Sequence, residues 1–262
     1  MPTMIDRLHR LTSGVAPVPP AALPQPTLQP ATGTDVLVGY TADGPVVLDV
    51  ASHALIIGRD DQCRTRMALR LVAQWAAAGN RTCVLGGGHA YGSLQADVVG
   101  TDGVAASLSE RRAVLSGMFD VLRRESVDHW SHLPEGLQPR PLLLVVNGFE
   151  TLSAFHIEHS TALADLQALA RLGRVVGIHV LVLADDHNNL PEALTTNLSA
   201  RVAVDLDATC ASRRLLGIPQ RRHEQGDAIH ALVADYQFGE VVSLEVLSPS
   251  LYEMREFVLA NL

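Results

Sequence analysis

The sequence predicts an α/β fold, a doubly wound and mostly parallel sheet, and three observations point to it. Short, continuous apolar runs recur at residues 54–57 (ALII), 82–85 (TCVL), 142–146 (LLLVV), 178–184 (IHVLVLA) and 201–206 (RVAVDL). Runs of that length without polar alternation suit strands buried on both faces of a parallel sheet. Amphipathic stretches of helical period separate them, which is the alternation that crossover connections require. The first run ends in a glycine turn followed by a helical pattern, so a ligand edge is expected at the C-terminal ends of the strands.

The elements follow in order. Residues 1–33 stand apart: "MIDRLHRL" is long enough for a turn or two of amphipathic helix, and "VAPVPPAALPQPTLQPATG" is rich in proline. That composition favours extended, polyproline-like chain, a linker with a short segment that docks on a partner, or else a tail without a role. Residues 34–262 form the folded domain. Ala68, Leu71, Val72 and Trp75 keep one face of a helix that stops at Gly79. Leu108, Leu115, Met118 and Leu122 mark a second, behind a Ser107-x-x-Glu110 pattern that resembles a capping box. Leu163, Leu166, Leu169 and Ala170 stripe a third, closed by Gly173. "GDAIHAL" and "VVSLEVL" read as strands, and Ser248-Pro249 starts a last helix through Phe257 and Val258.

The whole chain sets bounds. With 262 residues and 47% hydrophobic content it can bury a sizeable core. No apolar run is long enough to span a bilayer and no signal peptide pattern opens the chain, so a cytoplasmic location without membrane insertion is expected. A formal charge of −8 disfavours a surface that coats nucleic acid unaided. All 20 basic residues are Arg and Lys is absent. Cys63, Cys83 and Cys210 have no paired spacing, and His129, His132, His156, His159 and His179 form no compact ligand set, so no metal site is expected.

Gly58 to Thr65 has the outline of the G-x-x-x-x-G-K-[ST] phosphate loop and little of its chemistry. Such a loop turns backbone N–H groups inward, uses glycine where φ is positive, and brings a lysine to the phosphates. Here Cys63 stands in place of the second glycine and Arg64 in place of the lysine. A Cβ crowds the approach of backbone to phosphate, and a planar guanidinium does not replace a compact ammonium. Asp60 and Asp61 put acid where polyphosphate would sit. The expectation is a retained turn in which Arg–Asp pairing replaces phosphate.

Five ordered segments, "VGYTADGPVVLDVASHALIIG", "ERRAVLSGMFDVLRR", "RPLLLVVNGFETL", "LARLGRVVGIHVLVLAD" and "NLSARVAVDLDATCASRRLLG", resemble the P-loop motor domain of FtsK/SpoIIIE-type DNA translocases. That domain recurs in plasmid-transfer proteins and in the EccC ATPases of type VII secretion. The resemblance spans residues 35–262 and implies a RecA/FtsK-like P-loop NTPase fold. It also implies that the strand at 142–146 is the Walker B strand, whose two following acids hold magnesium and orient water. Those positions are Asn147 and Gly148, with Glu150 close behind in a turn and read as structural. The γ-phosphate sensor at the end of the next strand falls at Asp186, beside Asp185. Arg201 and Arg213 match residues that the family passes to a neighbour's nucleotide; capping or pairing within the chain is the alternative. The Arg123-Arg124, Arg213-Arg214 and Arg221-Arg222 pairs read as solvated helix faces or, alternatively, as phosphate contacts in a pore.

Together these changes imply a catalytically degenerate domain, with no catalytic residue of its own. It would act as a scaffold or regulatory subunit of a DNA-translocation or transfer assembly, oligomeric with FtsK-like subunits. One alternative is an active translocase using ATP and Mg2+ through variant motifs, with DNA as partner. A second is an EccC-like module that binds a peptide. Outside these alternatives no cofactor is expected.

Overall fold

The computed structural model describes residues 28–41, 44–152, 161–186, 189–204, 228–235, 240–247 and 249–262. Ten strands are described: β1 (Asp35–Thr41), β2 (Gly44–Asp49), β3 (Ala54–Ile57), β4 (Arg81–Leu85), β5 (Asp97–Val99), β6 (Leu142–Val146), β7 (Ile178–Ala184), β8 (Ala200–Val204), β9 (Ala228–Asp235) and β10 (Glu240–Leu247). Helices α1 (Asp61–Ala77), α2 (His89–Gly92), α3 (Val104–Glu125), α4 (Phe149–Leu152), α5 (Ala162–Leu172), α6 (Glu192–Thr195) and α7 (Leu251–Asn261) lie between and after them.

The main sheet has eight described strands in the order β10-β9-β8-β3-β7-β6-β4-β5. Six of them, from β8 to β5, pair in parallel, while β9 and β10 run antiparallel on one flank. This is the doubly wound, mostly parallel α/β sheet that the apolar runs predict. β3, β6 and β7 are buried at every position, which is why they lack polar alternation.

A core packs on each face. One joins Leu115 and Leu122 of α3, Leu166 and Leu169 of α5, and alternate sheet residues such as Leu55, Leu144 and Val182. The other joins Met67, Leu71 and Trp75 of α1, Met254 and Val258 of α7, and the opposite sheet residues Ile56, Val145 and Leu181. Alternation of strand side chains between faces explains the division.

Helix α1 is buried almost all round, and its polar residues are therefore partnered. The antiparallel hairpin β1–β2 lies across it, with Asp35 opposite Asp49 and an irregularity between Leu37 and Gly39. At that irregularity the Gln74 side chain accepts from the Leu37 N–H at 2.9 Å and donates to the Leu37 carbonyl at 2.8 Å. Arg70, fully buried, donates to the same carbonyl. Leu28 and Ala31, within the stretch read as tail, pack against this core. Residues 1–27 of that stretch lie outside the described residues.

Two boundaries differ from expectation. Ser107 is inside α3 rather than capping it, because the turn at Thr101–Gly103 feeds the helix a full turn earlier; the serine is buried 4.0 Å from the Cys83 sulfur. The last helix is capped by Ser250 with Glu253 in a reciprocal capping box, not by Ser248-Pro249. Gly173 closes α5 as its C-cap, as expected, and a tighter turn, Gly173–Val176, then runs on to Gly177.

Candidate functional site

The turn after β3 sits at the C-terminal edge of the parallel strands, where an open α/β sheet places its ligand. Gly58 leaves the strand with its N–H bonded to the Ala184 carbonyl. A Cβ on Gly58 would stand 2.2 Å from the Val204 carbonyl oxygen of β8. This glycine is therefore required by the strand beside it, whatever the turn binds. No residue from Gly58 to Thr65 has positive φ.

Helix α1 begins at Asp61, so the turn is short and the N–H groups of the motif belong to a helix end. Asp60 is its N-cap: one carboxylate oxygen accepts from the Gln62 and Cys63 N–H groups at 2.7 and 3.3 Å. The Arg64 N–H is bonded to the Asp60 carbonyl. An anion from outside would have to displace that carboxylate to reach these donors.

Arg64 is folded into the turn, 4% exposed. Its guanidinium donates to the Gly58 carbonyl and pairs with Asp185, and it reaches Asp61 at 3.1 Å. The Arg–Asp pairing expected from the sequence is present, with Asp61 rather than Asp60 as the partner within the turn. Asp185 completes it, from a strand end more than a hundred residues away. A buried guanidinium requires such partners, because burying an unpaired charge is costly. Both carboxylates remain half or more exposed, so each pair contributes about 1 kcal/mol or less.

The positions that the resemblance assigns to Walker B are also occupied by internal contacts. Asn147 accepts from the Tyr91 hydroxyl at 3.3 Å and donates to the Gly86 carbonyl at 3.3 Å. Its N–H is bonded to the Leu85 carbonyl, closing the ends of β4 and β6. Tyr91 is buried, and that burial pushes its hydroxyl pKa up, so it stays a neutral donor. Gly148 has φ of 73°, a backbone that non-glycine residues rarely adopt. Glu150 lies in the first turn of α4 and accepts from the Asp185 and Asp186 N–H groups at 2.7 and 3.4 Å. It ties α4 to the end of β7. Asp186 sits beside this tie, while Asp185 makes the contact to Arg64.

Asp61, Arg64, Gly86, Thr101, Asn147, Gly148, Glu150 and Asp185 line one cleft of about 280 Å³. The structure thus brings the turn after β3 and the segments that the resemblance assigns to Walker B and the sensor together at one edge. Three of the lining residues are acidic and one is basic, which opposes a polyphosphate. Thr65 and Cys63 are half-buried on the first turns of α1. Tyr91 and Thr101 carry no sequence signal that links them to this cleft.

Arg201 is apart from the cleft, its guanidinium donating to the Leu198 and Thr195 carbonyls. Arg213, Arg214, Arg221, Arg222, His156, His159 and Cys210 lie outside the described residues. Arg123 and Arg124 are exposed on the last turn of α3, both bonded to Asp120. Among the described residues no group of three or more His, Cys, Asp or Glu is placed to hold a metal, and no helix is long and apolar enough to cross a membrane.

No protein-family model and no curated protein matches the chain. Solved structures do match its fold. EssC ATPases 2 and 3 from Geobacillus thermodenitrificans superpose with a TM-score of 0.72 at 13% identity, over 94% of this chain and 52% of that one. The pCW3 conjugation coupling protein TcpA, in its monomer form with ATPγS, gives 0.71 at 15% identity, over 90% and 75%. Thermomonospora curvata EccC ATPases 2 and 3, in complex with a signal sequence peptide, give 0.66 at 16% identity, over 90% and 50%. The chain spans about half the length of the EssC and EccC structures that it matches. Its fold is that of the P-loop ATPase domains in these secretion and conjugation proteins.

Proposed function

We propose that this chain is a catalytically degenerate FtsK/SpoIIIE-like P-loop domain, a scaffold or regulatory subunit in a DNA-translocation or transfer assembly. The observation that carries this reading is that the turn is filled from within: Asp60 occupies the helix N-terminus and Arg64 occupies the body of the loop. A nucleotide would have to expel both and then meet Asp61, Glu150 and Asp185. Asn147 brings no charge to offset Mg2+ and is already held by Tyr91 and Gly86. Assembly with active, FtsK-like subunits fits a domain that keeps the motor fold without the site chemistry.

Titration of the purified chain with Mg-ATP is the direct test. No saturable binding is expected at up to about 1 mM, corresponding to less than about 4 kcal/mol of binding free energy. Micromolar binding would favour the active translocase instead, and hydrolysis abolished by Arg64→Ala would overturn the degenerate reading.

The EccC structure with a signal sequence peptide favours one second reading, a module that binds a peptide. The charge of −8 suits a peptide partner better than DNA. Binding to DNA that weakens steeply with salt, with no peptide retained, would remove this reading.

A further inference from the structure

At the opposite edge of the sheet, where β3, β7 and β8 begin, two histidines are buried without charge partners of their own. His53 is fully buried and precedes β3 with φ of 51°. Its N–H is bonded to the Val50 carbonyl, its carbonyl accepts from the Ala200 N–H at 3.1 Å, and its Nδ1 accepts from the Val180 N–H at 3.0 Å. One residue therefore joins the entry to β3, the start of β7 and the start of β8. The Nδ1 bond requires a lone pair, so it exists only while the ring is unprotonated there.

His179, 1% exposed, faces His53 with ring centroids 6.4 Å apart and meets the edge of Trp75 at 5.5 Å. Among the described residues, neither ring nitrogen of His179 nor Nε2 of His53 has a hydrogen-bond partner. The charged and titratable groups around the pair give little to balance a proton. Arg174, from the turn after α5, and His179 itself oppose charge on His53. On His179, Asp49 at the end of β2 favours charge and His129 opposes it. Asp49 is already accepting from the Ala51 N–H and the Ser52 hydroxyl.

We infer that the His53–His179 pair is an acid-responsive latch that keeps the N-terminal ends of β3, β7 and β8 closed while neutral and releases them on taking up a proton. Release extends to the hairpin β1–β2, since the chain between Asp49 and His53 is held by Val50 N–H to Thr34 carbonyl and Ser199 N–H to Ser52 carbonyl bonds.

Burial is the first cause that holds the pKa of His53 down to about 3 and that of His179 to about 4. Both titrate near 6.5 when unfolded, so the open state binds more protons below that pH. The stabilisation is complete above about pH 6.5 and is lost progressively toward the folded-state values.

The test is amide exchange by NMR on the whole chain, with thermal midpoints at pH 7.5 and 5.5. The opening constant read at the Val180 amide is expected to rise below pH 6.5 by about tenfold per pH unit for each histidine, about a hundredfold for the pair, relative to the other amides of β7. His179→Phe removes only unpartnered nitrogens, so it is expected to keep the midpoint at pH 7.5 and to reduce its fall at pH 5.5. His53→Asn supplies an acceptor and tolerates positive φ, and is expected to act likewise. If either variant shows the wild-type pH dependence, or if Val180 protection does not change with pH, the latch is refuted. Should His53→Asn not fold, His179→Phe and the Val180 amide decide alone.

Discussion

Gly58→Ala is expected to destabilise the domain by about 3 kcal/mol, a fall of roughly 10 °C in thermal midpoint for a domain of this size. The added Cβ would lie 2.2 Å from the Val204 carbonyl oxygen and 2.7 Å from Val204 Cγ2. The obstacle is backbone of β8, paired to β3 from Ala54 to Ile57, so it cannot swing aside as a flexible side chain would. The comparison that gives the result its meaning is Thr65→Ala, a half-buried helix position where a change within about 1 kcal/mol is expected. A glycine kept for phosphate would show the reverse, a stable fold with altered nucleotide affinity. An unchanged midpoint for Gly58→Ala would mean that the turn is free to move and that the site is less closed than described.

Gln74→Leu is expected to cost about 3 kcal/mol and to free the hairpin β1–β2. The substitution conserves volume, so no cavity term enters. What is lost is the amide that satisfies both the N–H and the carbonyl of Leu37, which are buried. Each buried backbone group left without its partner costs about 1–3 kcal/mol, and Arg70 at 3.4 Å compensates only the carbonyl. Urea denaturation should give a lower midpoint, and limited proteolysis should produce new cuts between residues 31 and 53. A variant with the parental midpoint and the parental digestion pattern would show that the hairpin is held by its apolar contacts alone.

The parallel strands were legible because burial on both faces leaves continuous apolar runs, as at Leu142–Val146. The hairpin at 35–49 does not stand out in the sequence as a pair of strands. Its second strand alternates between half-buried and exposed positions as far as Val47 and begins with Gly44-Pro45, which reads as loop. β5 is three residues long, too short to carry a period. The site was legible as a set of misplaced charges and not as a geometry. Asp60 and Asp61 are adjacent in sequence, yet one caps a helix and the other pairs with Arg64, a division fixed by where α1 starts. The Tyr91–Asn147 and Arg64–Asp185 contacts join segments that only the sheet order brings together.

The strand order also dictates when this protein can fold. β3 needs β8, some 145 residues downstream, before its second edge is paired, and β1 lies beside β10, about 205 residues downstream of it. Helix α1 packs against α7 at the far end of the chain. Contacts of such long range close slowly, because the entropy of the intervening loop is lost before the contact rewards it. During synthesis at the ribosome, the apolar run at 54–57 and the buried face of α1 emerge long before their partners do. The nascent chain therefore exposes these apolar surfaces until β8 and α7 have been made, about 145 and 190 residues later, and aggregation competes with folding in that interval.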